Sequence, residues 1–452
     1  MTALSETITA LAPRVASGQL RAEHLAEDAL SIIAELNPRL NAFITVTSDD
    51  ALASARLADH EIAGGRYRGP LHGIPISLKD LIDVAGVPTT AASKLREGKK
   101  AKRDAPIVSH LRRAGAVLVG KTNLHEFAFG TTSEDSAWGP ARNPVDHTRS
   151  PGGSSGGSAI AVRTGMSIAS VGTDTGGSIR IPAAACGVVG LKPGWSEISA
   201  DGIIPLSRQL DHVGPLARSV ADAALMFDAL RGSANLQGLD ESQRPAPSDV
   251  KIAVLGGYFM DRLGEDVDAG IRASIETLRQ RGMNVSETSL AHAQDAGPIY
   301  LHLVLADAAA YHAATLESRP RAYTHNVRIR LEMGRAILAE DYVRAERGRT
   351  VLRREVDRAL QGVDALLLPA LAIEAPPIGA ASVAVTGGNE SVRNAMLRCT
   401  QLFNVTGHPA ISLPSGATRA GLPIGLQLVG HAGRTADLLR VAQAVEHTLV
   451  VR

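Results

Sequence analysis

The chain has 452 residues, 44% of them hydrophobic but only 3% aromatic, and its 47 Lys+Arg against 46 Asp+Glu leave a formal net charge of +1. A chain of this length can bury a sizeable core without disulfides or a structural metal, and its balanced charge offers no electrostatic footprint for nucleic acid. The one basic run, Lys99-Lys100-Ala101-Lys102-Arg103, has no interleaved aromatic residue and reads as a solvated loop. Two cysteines, Cys186 and Cys399, form neither a disulfide framework nor a zinc site. Met1 to Glu6 lacks the basic start and apolar run of a secretion signal, and the longest apolar stretches are broken by Arg163 or Pro369, short of the roughly 18 residues a membrane helix needs. A soluble, cytoplasmic protein without metal or cofactor is expected. The 44 Gly and 23 Pro of so apolar a chain call for a reason.

Ala22, Leu25, Ala29, Ile33 and Leu36 recur at helical spacing among charged neighbours, which predicts an N-terminal helical segment over residues 1–62. Ile74 to Leu78 predicts a strand, Pro106 to Ala114 a helix, and Ala116 to Val119 a second strand. Residues 130–215 are the richest in Gly and Ser, with too little periodicity for regular elements throughout. Beyond them the pattern gives a helix over 219–231, strands at Ile252 to Leu255 and Met283 to Ser286, and a helix over 267–281 between them. Residues 298–361 read as a charged helical layer or cap, with Arg328, Arg330, Glu332, Arg335 and Arg344 among the residues of its solvated face. Ala365 to Leu368 and Pro423 to Val429 return to strand, and 436–449 closes in a helix. Alternation of this kind predicts an α/β fold, a large mixed sheet covered on both faces by helices. With no repeat and no long linker, residues 63–452 form one large domain on which 1–62 packs.

Several motifs are decoys. Gly115 to Thr122 matches the phosphate-loop pattern, but its four intervening residues, Ala-Val-Leu-Val, are themselves a strand and leave no loop to wrap a phosphate. Gly152-Gly153-Ser154-Ser155-Gly156 matches a nucleophile elbow without the strand that should precede it. His125-Glu126 lacks the second histidine of a zinc-protease helix, and Cys186 sits in apolar sequence that suits an inert thiol.

Two Gly-Ser runs, 150–158 and 172–178, flank an apolar segment, Ala159 to Val171, that must be buried, so they are not linkers. Glycines embedded in core-forming sequence imply close backbone approach and unusual dihedral angles, and N–H groups converging on one point are what an oxyanion hole requires. Thr175-Gly176-Gly177-Ser178 offers successive amides beside a hydroxyl. A serine nucleophile needs a base. With no well-placed histidine the candidate is Lys79, at the end of an apolar strand where burial would favour its neutral form.

The sequence resembles the amidase signature family, whose members hydrolyse amide and related C–N acyl bonds with a Ser-Ser-Lys triad. The resemblance rests on Gly73-Ile74-Pro75-Ile76-Ser77-Leu78-Lys79-Asp80, the Gly-Ser run at 151–158, and Asp174 through Gly190-Leu191-Lys192-Pro193, and it extends from about residue 20 to the C-terminus. It implies Ser178 as the acylated nucleophile, Ser154 as the bridging serine in a cis peptide, and Lys79 as the base. Thr175, Gly176, Gly177 and Ser178 would form the oxyanion hole, with Ser155 and Asp174 in support. Phe127, Phe129, Gly130 and Thr131 would border the acyl pocket, and aromatic residues there favour an apolar or aryl amide or a carbamate (urethane). Two departures stand out: Gly194-Trp195-Ser196-Glu197 replaces the usual continuation with Thr and Gly-Arg, and Leu124-His125-Glu126-Phe127 stands where the glutamine-hydrolysing chains of amidotransferases carry Met-Asp-Glu-Phe. Three readings follow. The first is a free-standing hydrolase of small amides or carbamates, with a homodimer left open. The second is the glutamine-hydrolysing A subunit of a tRNA-dependent amidotransferase, which requires a partner. The third is a biuret or ureido hydrolase, to which Leu255-Gly256-Gly257-Tyr258-Phe259 is similar. Glutamine would require Arg and Asp in the pocket, and neither Arg208 nor Arg319 can be assigned there from sequence.

Overall fold

The computed structural model describes residues 3–450. Its strands are β1 (Phe43–Val46), β2 (Pro75–Lys79), β3 (Val117–Thr122), β4 (Ala169–Asp174), β5 (Val189–Lys192), β6 (His212–Ala217), β7 (Lys251–Leu255), β8 (Asn284–Thr288), β9 (Ala365–Pro369), β10 (Ser382–Val385), β11 (Gly388–Ser391), β12 (Ala410–Ala417) and β13 (Pro423–Val429). Eleven of them form one mixed, twisted sheet in the order β1-β3-β2-β4-β6-β5-β12-β13-β9-β7-β8, with helices on both faces, while β10 and β11 pair as a separate hairpin. The segment expected to be helical over 1–62 also supplies β1, an edge strand antiparallel to β3. One hydrophobic cluster runs from Leu4 to Val445. Among the described residues no helix is long and apolar enough to cross a membrane.

The topology places the chemistry. Strands β2 and β4 are parallel neighbours, Ile76 opposite Ala169 and Leu78 opposite Val171, so both end at the same side of the sheet. Lys79 closes one and Asp174 the other. Open α/β sheets bind ligands beyond the carboxyl ends of such strands.

Residues 130–215 are more regular than their sequence suggests, since they contain β4, β5, β6 and the helices Gly156–Thr164 and Arg180–Cys186. Both helices are buried on all sides: Gly156 to Val162, and every residue from Arg180 to Cys186. A helix enclosed by protein has no polar face and therefore no amphipathic period to read. The charged stretch at 298–361 is three helices, Ala296–Ser318, His325–Gly334 and Ala339–Ala359.

Candidate active site

Lys79 is fully buried, and its Nζ donates to Ser154 Oγ at 2.8 Å and to Thr173 Oγ1 at 2.9 Å. Burial lowers its pKa to about 7 against the opposing pull of Asp174 and Asp211. Ser154 follows a cis peptide bond with Gly153. A side chain on Gly153 would begin 2.7 Å from Ser133 N and 3.0 Å from the Thr131 carbonyl carbon, so only glycine lets that loop close over the serine. The Ser154 carbonyl accepts from His125 N at 3.2 Å and from Ser133 Oγ at 3.3 Å. Ser155 laces the motif to β4: its N–H donates to the Ser178 carbonyl at 3.1 Å and its hydroxyl to the Thr173 carbonyl at 3.1 Å.

Ser178 is 6% exposed while Lys79 and Ser154 are 0% exposed, which makes its hydroxyl the member of the trio open to an incoming molecule. No hydroxyl-to-hydroxyl hydrogen bond joins Ser154 to Ser178 among the described residues; the two are tied through the Ser155 amide. Beside Ser178, the N–H groups of Gly176, Gly177 and Ser178 donate to no protein acceptor among the described residues. Unspent backbone donors in a buried loop form a ready-made anion cradle. Gly177 adopts φ +139°, and a side chain there would overlap Thr400 Oγ1, the same hydroxyl that donates to the Gly176 carbonyl at 2.6 Å.

The loop is held rigid from behind. Burial opposes ionisation of Asp174, but the Arg180 guanidinium, reaching it at 2.9 and 3.0 Å, and Asn404 Nδ2 at 2.8 Å hold its carboxyl well below the usual carboxylate range. Arg180 in turn donates to Gln427 Oε1 at 2.7 Å and Asn404 Oδ1 at 2.6 Å, which links the loop to β13 and to the helix Gln401–Thr406. Thr175 Oγ1 donates to Asp211 at 2.6 Å, and burial raises the pKa of Asp211 to about 6. Thr173, Asn404, Gln427 and Asp211 escape sequence reasoning because none of them carries a local pattern that sets it apart.

The residues expected at the acyl pocket separate. Phe127 packs edge-on against His312, with ring centroids 4.4 Å apart, and tilts against Tyr323 at 5.7 Å, so it joins the main body to the helical layer. Phe129 lies under the Arg330 guanidinium at 5.9 Å, Gly130 lies against the His125 ring, and the Thr131 backbone abuts Gly153. Arg330, expected on the solvated face of its helix, instead turns inward and donates to the Phe129 carbonyl at 2.5 Å. Arg208 lines a surface groove with Asp307 and Tyr342, and Arg319 is exposed. In the phosphate-loop lookalike, Lys121 is buried in an ion pair with Asp80 at 3.1 Å, and a side chain on Gly120 would overlap the Thr45 carbonyl. Glu197, in the divergent stretch, accepts from Gly194 N at 2.7 Å and from the Thr435 hydroxyl, so it fastens the start of the last helix.

The amidase family model matches residues 24–439. An amidase of Pseudomonas putida is 38% identical over 97% of this chain and 95% of its own length. The A subunit of the glutamyl-tRNA(Gln) amidotransferase of Koribacter versatilis is 36% identical over 98% of both chains. A crystal structure of an amidase, 38% identical, superposes with a TM-score of 0.92 over 98% of this chain and 100% of the other. Matches of that length and identity make the chain a member of the amidase signature family, a hydrolase of amide and related C–N bonds with a Ser-cisSer-Lys mechanism.

Proposed function

We propose that the chain is a free-standing hydrolase of small amides, aryl amides or carbamates in which Ser178 is acylated, Ser154 relays protons and Lys79 is the base. The observation that carries this reading is the fully buried Lys79, its Nζ 2.8 Å from Ser154 Oγ, beside a loop whose amides donate to no acceptor among the described residues. With its pKa lowered to about 7, Lys79 is half neutral at neutral pH. Neutral Lys79 takes the Ser154 hydroxyl proton as Ser154 takes that of Ser178, and Ser178 Oγ bonds to the substrate carbonyl carbon. The resulting oxyanion is held by the amides of Gly176, Gly177 and Ser178, with Thr175 fixed by Asp211. Reversal of the relay hands the proton to the leaving nitrogen as the C–N bond breaks, and water then repeats the sequence to release the acid. Substrate binding is what brings the two serine hydroxyls into line, since catalytic hydrogen bonds tighten in the Michaelis complex.

A fluorophosphonate probe tests the assignment. It labels Ser178, and Ser178→Ala abolishes the label with the fold intact; a label that persisted on Ser154 would refute it. The 36% identity to the glutamyl-tRNA(Gln) amidotransferase chain favours glutamine hydrolysis within a complex as the second reading. Glutaminase activity that arose only with a partner protein, with no activity of the chain alone on a p-nitroanilide or a carbamate, would replace the first reading by the second.

A further inference from the structure

Ser133 carries a hydroxyl that takes no proton in the relay but touches the loop of Ser154 twice. It is 0% exposed, its Oγ donates to the Ser154 carbonyl at 3.3 Å, and the same Oγ accepts from Gly156 N at 3.2 Å. One bond uses the hydroxyl proton and the other a lone pair, so together they fix its orientation. Ser133 also adopts φ +57°, a conformation that glycine or asparagine takes at lower cost, and a serine kept there points to a use for its side chain.

Gly156 opens the helix Gly156–Thr164, and the first amides of a helix have no partner within it. Ser155, at the cap position, does not serve them, because its hydroxyl goes to the Thr173 carbonyl. The segment that carries Ser133 supplies the acceptors instead: Ser133 Oγ for Gly156 N, and the Asn123 carbonyl for Gly157 N at 3.1 Å. Glycines make that approach possible. A side chain on Gly153 would begin 2.7 Å from Ser133 N, and one on Gly156 would begin 2.5 Å from Ser133 Oγ. The preceding carbonyl, that of Thr132, accepts from Ser150 Oγ at 2.7 Å. The far side of the segment is anchored as well, at the start of the helix His325–Gly334: Glu126 accepts from the N–H and the hydroxyl of Thr324 at 2.7 Å, and Asp135 from Asn326 at 3.0 Å.

We propose that Ser133 is a positioning residue: its hydroxyl ties the Ser154 carbonyl to the first amide of the helix and so sets the direction in which Ser154 Oγ faces Lys79 and Ser178. The inference rests on Ser154 as the proton relay. The other donor to the Ser154 carbonyl, His125 N at 3.2 Å, belongs to the main chain and survives any substitution of Ser133, so loss of the hydroxyl loosens the loop without opening it. Loosening of that kind costs rate, since misplacing a reacting group by about 1 Å is worth up to about 10²-fold.

A double-mutant cycle tests it, read as the rate constant of Ser178 labelling by a fluorophosphonate in the wild type, Ser133→Ala, Ser154→Ala and the double variant. Ser133→Ala slows labelling about 10-fold or more while Ser154 is present, and by less than about 2-fold in the Ser154→Ala background, where no hydroxyl remains to be aimed. The loss falls on the limiting rate at saturating probe and leaves the half-saturating concentration within about 2-fold. Ser133→Gly, which suits φ +57° but lacks the hydroxyl, is as slow as Ser133→Ala. A rate constant, unlike the amount of label, is independent of how much of a variant is folded. Equal slowing in both backgrounds, a near-wild-type rate in Ser133→Gly, or loss of the fold in both single Ser133 variants overturns the inference and makes the role of Ser133 structural. Labelling of Ser154→Ala at the wild-type rate, or no label on Ser178 in the wild type, refutes the relay reading instead, and the inference with it.

Discussion

As the proposed base, Lys79 ties catalysis, stability and pH together in one measurable way. An unperturbed lysine at pH 7 is neutral in roughly one molecule in 3,000; with burial lowering its pKa to about 7, half of the Lys79 side chains are neutral there. The second-order rate of Ser178 labelling by an uncharged fluorophosphonate, measured from pH 5.5 to 9.5, rises about tenfold per pH unit and levels off near pH 7. Lys79→Arg cannot become a base and lowers the plateau by about 10²- to 10⁴-fold. Asp211→Asn removes a negative charge that favours protonated Lys79, so its limb moves to lower pH. The same burial bears on stability. Between about pH 7 and 10.5 the unfolded chain holds a proton on Lys79 that the native chain has released, so stability rises with pH across that window. Below pH 7 the full cost of the buried ammonium is present, of order 5 kcal/mol as an upper bound. Lys79→Met should therefore raise the urea midpoint most below pH 7 and hardly at all above pH 10.5. A labelling profile that is flat from pH 5.5, or still climbing past pH 9, would refute the lysine-base argument.

Gly177→Ala puts a methyl group where the backbone has φ +139° and where Thr400 Oγ1 already sits; kcat should fall by about 10²-fold or more with near-UV circular dichroism unchanged, and a near-normal kcat would count against Gly177 in the anion cradle. Lys121→Met strands Asp80, which is 0% exposed, without its counter-ion and should cost about 3–5 kcal/mol in urea unfolding, whereas nucleotides should leave the wild-type Tm unmoved; a nucleotide-dependent rise would revive the phosphate loop. Burial raises the pKa of Glu446 to about 7 and that of Asp222 to about 6, although they accept helix-start amides from Val220 at 3.0 Å and from Ile8 at 3.0 Å. Native carboxyls then hold protons that the unfolded chain has lost, so their contribution is complete below about pH 4 and disappears as pH rises through 6 and 7. Glu446→Gln should reduce the fall in urea midpoint between pH 5 and pH 8 by about half; an unchanged fall would exclude Glu446 as its source.

The chemistry of this protein is legible in its sequence for a physical reason, and its selectivity is not. The proposed amide cradle is three consecutive residues, Gly176 to Ser178, because an oxyanion is small and successive N–H groups of one bent loop can surround it. Lys79 ends an apolar strand, a pattern that the local sequence displays, and the parallel pairing of β2 with β4 does the rest. Buried glycine-rich helices give no period, so the sequence marks the Gly156–Thr164 helix only by its glycines and by the apolar run from Ala159 that must be buried. Gly157 explains why, since a side chain there would meet Asn123 backbone atoms, and the absence of polar alternation marks the same enclosure. Arg330 fails differently. It shares a helix with Arg328, whose guanidinium pairs with Glu332 at 3.1 Å at the surface, and nothing in the local sequence distinguishes the arginine that turns inward. Tyr300 and Arg330 lie on two separate helices: the hydroxyl of one closes on Gly176, and the guanidinium of the other reaches the Phe129 carbonyl. Contacts assembled between helices in that way can change by single substitutions that leave the Gly-Ser runs untouched. Hence a 38% identical amidase and a 36% identical amidotransferase chain match this protein about equally well, although their names give them different activities.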